Sequence, residues 1–215
     1  MKLSDYSTIA FDCDGVILNS NKVKTNAFYD AALPYGESNA EALKKYHTQN
    51  GGVSRFKKFQ WFVDSFVEET VRDEAYEQLL TRYADIVEKG LLNCEFNKDL
   101  YELKKKTPNT NWLIVSGGSQ SELRALFEKR DLANLFEGGI YGSPDSKEVI
   151  FERELARDNI TLPALFIGDS KYDYFSSNKH GLDFIFLSQW TEVNDWKSFC
   201  KDNNINHIDF LRSIS

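Results

Sequence analysis

Two aspartates, Asp12 and Asp14, flank one cysteine at the end of a short apolar run over residues 7–11, and Gly15 follows at once. An extended chain points residues i and i+2 the same way, so both carboxylates can serve one site. Carboxylates are poor strand formers and costly to bury, and a divalent cation is the usual compensation. Three further segments carry matching chemistry. Ser116-Gly117-Gly118 closes the apolar run 112–116, and Gly168-Asp169-Ser170 closes 164–167, with Asp173 one helical turn further on. The segment 142–147 offers Lys147 at a helix start. Asp12, Asp14, Asp169 and Asp173 together suit a hard, octahedral cation such as Mg²⁺. Ser116, backbone N–H groups and Lys147 suit a phosphate. Metal plus phosphate, with no histidine or cysteine required, points to phosphoryl transfer. Cys13 alternates away from both aspartates and is assigned to packing.

These tips converge only if the strands are neighbours. The pattern predicts strands at 7–12, 112–116, 139–142, 164–167 and 183–187. Helices are expected at 97–106, 119–129, 145–158, 171–180 and 192–203. Strands alternating with helices give βαβ units and a parallel sheet covered on both faces. Such sheets bind ligands beyond the C-terminal ends of their strands. The stretch 19–90 differs, because it contains no convincing strand. Apolar residues recur there at helical spacing, as in Val23, Ala27, Phe28 and Ala31, or Phe59, Phe62, Val63 and Phe66. Helices at 20–33, 37–48, 54–68 and 73–89 are expected to pack as a small bundle. The fold class is therefore α/β, with a helical insert after the first strand.

The chain has 215 residues, 41% apolar and 27% charged, as expected of a soluble globular protein. No apolar run approaches the ~20 residues of a membrane helix, and the N-terminus has no signal-like stretch. A cytoplasmic location without membrane association is expected. The net charge of −7, without a long basic block, argues against a nucleic-acid partner. Three scattered cysteines, Cys13, Cys94 and Cys200, suit a reducing compartment. His47, His180 and His207 have no metal or triad spacing and are expected to be structural or exposed. Oligomeric state is not legible.

The ordered set Asp12-Cys13-Asp14-Gly15, strand-end Ser116, Lys147 and Gly168-Asp169-Ser170 with Asp173 resembles the haloacid dehalogenase-like hydrolase superfamily. The resemblance implies a Rossmann-like core (1–18 and 91–215) with a helical cap (19–90). It implies that Asp12 is the nucleophile and Asp14 the general acid, then base. Mg²⁺ would be held by Asp12, the Asp14 carbonyl and Asp169, supported by Asp173. Ser116 and the Gly117 N–H would hold the phosphoryl oxygens, and Lys147 would offset their charge. Dehalogenases of similar fold lack the second aspartate, so Asp14 favours phosphate esters. The expected reaction is hydrolysis of a small phosphorylated metabolite.

One alternative is a sugar phosphomutase. Gly52-Val53-Ser54-Arg55 resembles the cap loop of β-phosphoglucomutase-like proteins, where the arginine grips a second phosphate. Against it, Lys24 stands where such enzymes carry a histidine. A catalytically silent phosphate-binding protein is a further alternative. Substrate choice falls to the cap, with Lys22, Lys24, Arg55, Lys57, Lys58, Phe56, Phe59 and Trp61 as candidates.

Overall fold

The structure is a computed structural model describing residues 2–214. Six strands form one parallel sheet: β1 (Thr8–Phe11), β2 (Asn111–Ser119), β3 (Gly139–Ser143), β4 (Ala164–Gly168), β5 (Asp183–Leu187) and β6 (Asn206–Ile208). Their order is β3-β2-β1-β4-β5-β6. The chain builds outward from β1 through β2 and β3, then crosses back to add β4 on the other side. That reversal opens a crevice at the C-terminal ends of β1 and β4. Register keeps these ends level, because Phe11 lies beside both Ile114 and Ile167.

Period-2 alternation sorts the strand side chains into two cores. Ile9, Phe11, Trp112, Ile114, Leu165, Ile167, Ile185 and Leu187 share one face with α5 (Asp99–Lys106) and α6 (Gln120–Lys129). Ala10, Leu113, Val115, Phe166, Phe184 and Phe186 share the other with α7 (Lys147–Ala156) and α9 (Trp196–Asp202). α8 (Lys171–Lys179) follows β4. β1 is buried along its whole length, as a central parallel strand must be.

The insert is four helices: α1 (Asn21–Ala32), α2 (Glu37–Gln49), α3 (Arg55–Phe66) and α4 (Arg72–Asn93). Phe28 lies at its centre, with ring centroids 4.4 Å from His47, 5.2 Å from Phe59 and 4.4 Å from Tyr83. Cys13, Val16, Ile17 and Leu18 are fully buried and join this aromatic cluster to the sheet core. The two connecting segments run side by side. Asn19 N–H donates to the Glu95 carbonyl and Asn97 N–H to the Ile17 carbonyl, each at 2.9 Å.

Several element ends differ from expectation. β2 continues past 116 to Ser119, with a register shift between Val115 and Ser119. α4 runs beyond 90 to Asn93, and α9 starts at Trp196 instead of 192. β6 was not expected, because three residues led by Asn206-His207 lack an apolar strand pattern. Among the described residues, no helix is long and apolar enough to cross a membrane.

Phe28→Ala empties the centre of the insert, so a loss of about 3–5 kcal/mol is expected. Chemical denaturation followed by circular dichroism would measure it.

Candidate active site

β1 delivers Asp12 to the crevice almost fully buried. Its Oδ1 accepts the Cys13 N–H at 2.7 Å and pairs with Lys147 Nζ at 2.9 Å. Lys147 opens α7, whose first turn is capped by the Ser146 hydroxyl, and it reaches across under β1 fully buried. Its ammonium also pairs with Asp173. Burial alone would lower the Lys147 pKa, but Asp12 and Asp173 outweigh it and raise it.

The turn after β4 supplies Asp169, whose Oδ2 accepts from Asn21 Nδ2 at 2.7 Å. Asp173 Oδ2 accepts from the N–H groups of Asp169 and Ser170 and from the Ser170 hydroxyl, at 3.2, 3.0 and 2.7 Å. This is a capping box that opens α8. It commits one Asp173 oxygen to the turn and the other to Lys147. Asp173 therefore positions its neighbours from behind.

Asp12, Asp169 and Asp173 each place one oxygen within 4.8 Å of the others, all three buried. Among the described residues, Lys147 is the one ammonium paired with this cluster, through Asp12 and Asp173. Burial pushes Asp12 up to about 7, with Lys147 opposing and the Asp173 and Asp14 charges adding. Burial and the Asp12 and Asp173 charges push Asp169 well above the usual carboxylate range.

Asp14 sits apart from this cluster. Its Oδ1 accepts from the Ser20 hydroxyl at 2.6 Å and its Oδ2 from Lys24 Nζ at 2.5 Å. Burial would raise its pKa, but the Lys24 charge and these hydrogen bonds prevail and lower it. Asp14 thus rests as a carboxylate. Gly15 turns the chain with φ +75°, and a Cβ there would lie 1.9 Å from Asp169 Oδ2. Only glycine meets both conditions.

The turn after β2 forms the opposite wall. Ser116 is fully buried, and its Oγ accepts the Gly118 N–H at 3.0 Å. Gly117, Gly118 and Ser119 line the pocket. A Cβ on Gly117 would lie 2.2 Å from the Gly52 carbonyl oxygen, so the helical insert closes directly onto this turn.

The pocket between sheet and insert is a cavity of about 80 Å³. Lys24, Phe28, His47, Arg55, Lys58 and Tyr83 line it from the insert side. Arg55 is not free: its guanidinium forms a two-pronged pair with Glu122 of α6, one arm at 2.9 Å. Lys22 and Lys57 are exposed, Phe59 is buried in the insert core, and Trp61 stacks on Tyr46 at 3.9 Å. Lys22, Lys57, Phe56, Phe59 and Trp61 lie outside the lining.

Sequence reasoning missed Ser20, Asn21, Phe28 and Tyr83, left His47 as structural or exposed, and gave Lys24 only a specificity role. A faint signal existed, because Ser20, Asn21 and Lys24 cluster on the first turn of the helix after the acidic pair.

The sequence profile of the haloacid dehalogenase-like hydrolases matches residues 9–187. The chain belongs to this family. Solved structures agree in fold. A family hydrolase from Streptococcus pneumoniae superposes with a TM-score of 0.70 at 18% identity, over 96% of this chain and 94% of that one. A predicted phosphatase from Clostridium acetobutylicum gives 0.71 at 19% identity, over 94% and 93%. A predicted phosphoglycolate phosphatase from Haemophilus somnus gives 0.67 at 17%, over 86% and 87%. No curated protein sequence matches this one.

Gly15→Ala combines a left-handed backbone with a collision at Asp169. It is expected to cost at least about 1 kcal/mol in stability. A thermal melt beside wild type checks this.

Proposed function

We propose that this family member is a phosphatase that cleaves a small phosphate monoester by way of an aspartyl-phosphate on Asp12. The observation carrying the reading is the buried trio Asp12, Asp169 and Asp173, with Asp12 and Asp173 paired to Lys147, beside a separate carboxylate, Asp14. Two carboxylates in unlike surroundings suit two unlike roles.

The donor set fits a divalent cation. Three buried carboxylates against one ammonium leave two negative charges unbalanced, and a hard cation with oxygen ligands would balance them. Asp12 and Asp169 would hold Mg²⁺ directly together with the Asp14 backbone carbonyl, and Asp173 would support them. Bound there, Mg²⁺ would supply charge stabilisation for the phosphoryl oxygens.

The chain's own groups divide the rest. Lys147 and the Cys13 N–H hold Asp12 Oδ1, which leaves Oδ2 to attack phosphorus. As that bond forms, the bond from phosphorus to the leaving oxygen breaks, and the leaving oxygen takes a proton from Asp14. Asp14, a carboxylate at rest, takes up that proton from solvent as the substrate binds, while Lys24 and Ser20 hold it in place. In the second step Asp14 accepts a proton from water, which attacks phosphorus and releases Asp12. The Gly117 N–H and the Ser116 hydroxyl would hold the phosphoryl oxygens, with Lys147 offsetting their charge. Arg55, the residue through which a phosphomutase would grip a second phosphate, is engaged by Glu122 instead.

Hydrolysis of p-nitrophenyl phosphate should require Mg²⁺ and fall at least about a thousand-fold in Asp12→Asn. Mg²⁺ should raise the melting temperature of wild type but not of Asp169→Asn. Activity equal to wild type in Asp12→Asn would sink the reading. Asp14→Asn removes the proton donor, and kcat is expected to fall about 10²–10⁴-fold, as for loss of a general acid.

A further inference from the structure

Among the described residues, Lys58 has no counter-ion. It lies on the first turns of α3, is 2% exposed and lines the pocket. Its one hydrogen-bond partner among the described residues is His47 Nδ1, at 2.8 Å. No carboxylate of the described residues pairs with it, whereas Lys24 on the same pocket has Asp14, and the fully buried Lys147 has Asp12 and Asp173. An ammonium has three donors, so two of the Lys58 protons are unspent. His47 accepts through Nδ1, which puts its own hydrogen on Nε2 and keeps the ring neutral. The ring is fixed by Phe28, 4.4 Å away. Burial pushes Lys58 down to about 7, with the nearby Lys24 charge adding. Arg55 Nε, on the same wall, is also buried without a partner.

A buried, unpaired cation is strongly unfavourable unless something completes it. The Phe28 ring, 5.3 Å from the ammonium, gives it a cation–π contact but no counter-charge. The missing charge must come from what fills the pocket.

We infer that Lys58, positioned by His47, binds a second anionic group carried by the leaving group of the substrate. The substrate is then a small phosphate monoester bearing a carboxylate or a second phosphate, not a neutral polyol phosphate. This rests on the phosphatase reading for what sits at Asp12, but the Lys58 subsite is separable from it. Catalysis proceeds at the sheet end of the pocket, and Lys58 selects at the insert end. Charge-assisted hydrogen bonds from a desolvated ammonium are strong enough to discriminate on the order of ten- to a hundred-fold.

Matched pairs test the proposal. Phosphoglycolate against ethyl phosphate reads a carboxylate, and 1,2-ethanediol bisphosphate against 2-hydroxyethyl phosphate reads a second phosphate. Wild type should favour at least one acidic member by about ten-fold or more in kcat/KM, mostly through KM. In Lys58→Met that ratio should collapse towards one, and His47→Gln should reduce it. Lys58→Met removes a buried charge, so its melting temperature should not fall below wild type. Equal wild-type rates on acidic and neutral members, or equal loss on both in Lys58→Met, would overturn the subsite while leaving the phosphatase intact. Calorimetry with the same esters on Asp12→Asn reads the subsite without turnover. A wild-type-like preference there, absent when Lys58→Met is added, supports it even if the hydrolase reading fails. Equal affinities there would also overturn it.

Discussion

Three buried carboxylates and one buried ammonium at the end of a parallel sheet set the terms for the rest of the structure. Such a cluster is unfavourable by itself, since each charge has lost its hydration. The fold concentrates the cost at one point, where β1 and β4 end level and the chain reverses direction. Every neighbouring element then serves to hold the cluster. Ser146 caps the helix that carries Lys147, the box between Ser170 and Asp173 fixes the turn that carries Asp169, and Gly15 gives way sterically to Asp169. Local capping and global electrostatics are here the same residues.

The helical insert turns this general charge trap into a selective one. Its aromatic centre is continuous with the sheet core, so its inner face is held as firmly as any interior surface. Against that rigid face sit two lysines with opposite circumstances. Lys24 is matched by a carboxylate on the sheet, while Lys58 is matched by none. Unequal compensation of like groups across one small pocket gives it electrostatic polarity.

The sheet end of the site was legible in the sequence because its residues lie at breaks in pattern. Asp12, Asp14, Lys147 and Asp169 each fall where an apolar run stops or a helix begins, and turns there are dictated by local chemistry. The family resemblance sharpened their roles, and the fold followed from alternation of strand and helix. The insert end was not legible. Lys24, His47, Lys58 and Tyr83 come from four helices, and single-helix periodicity cannot say which faces meet. Lys24 and Lys58 stood among the insert's candidates for substrate choice, but nothing in their spacing set these two buried lysines apart from the exposed Lys22 and Lys57. The same limit hid Glu122, whose pairing with Arg55 needs α3 and α6 to meet. β6 escaped because three residues are too few to carry a period.

The two segments joining insert to sheet are themselves hydrogen-bonded, with Leu18 bridged to Phe96 in antiparallel sense. Two crossing strands tied in this way form a ribbon, which folds about one axis far more easily than it shears or swivels. The insert is thereby joined to the sheet through one paired ribbon and not through two independent linkers. The acidic pair stands at the foot of that ribbon, on the same few residues that form one of its strands. The backbone that carries Asp14 is therefore the backbone that anchors the insert.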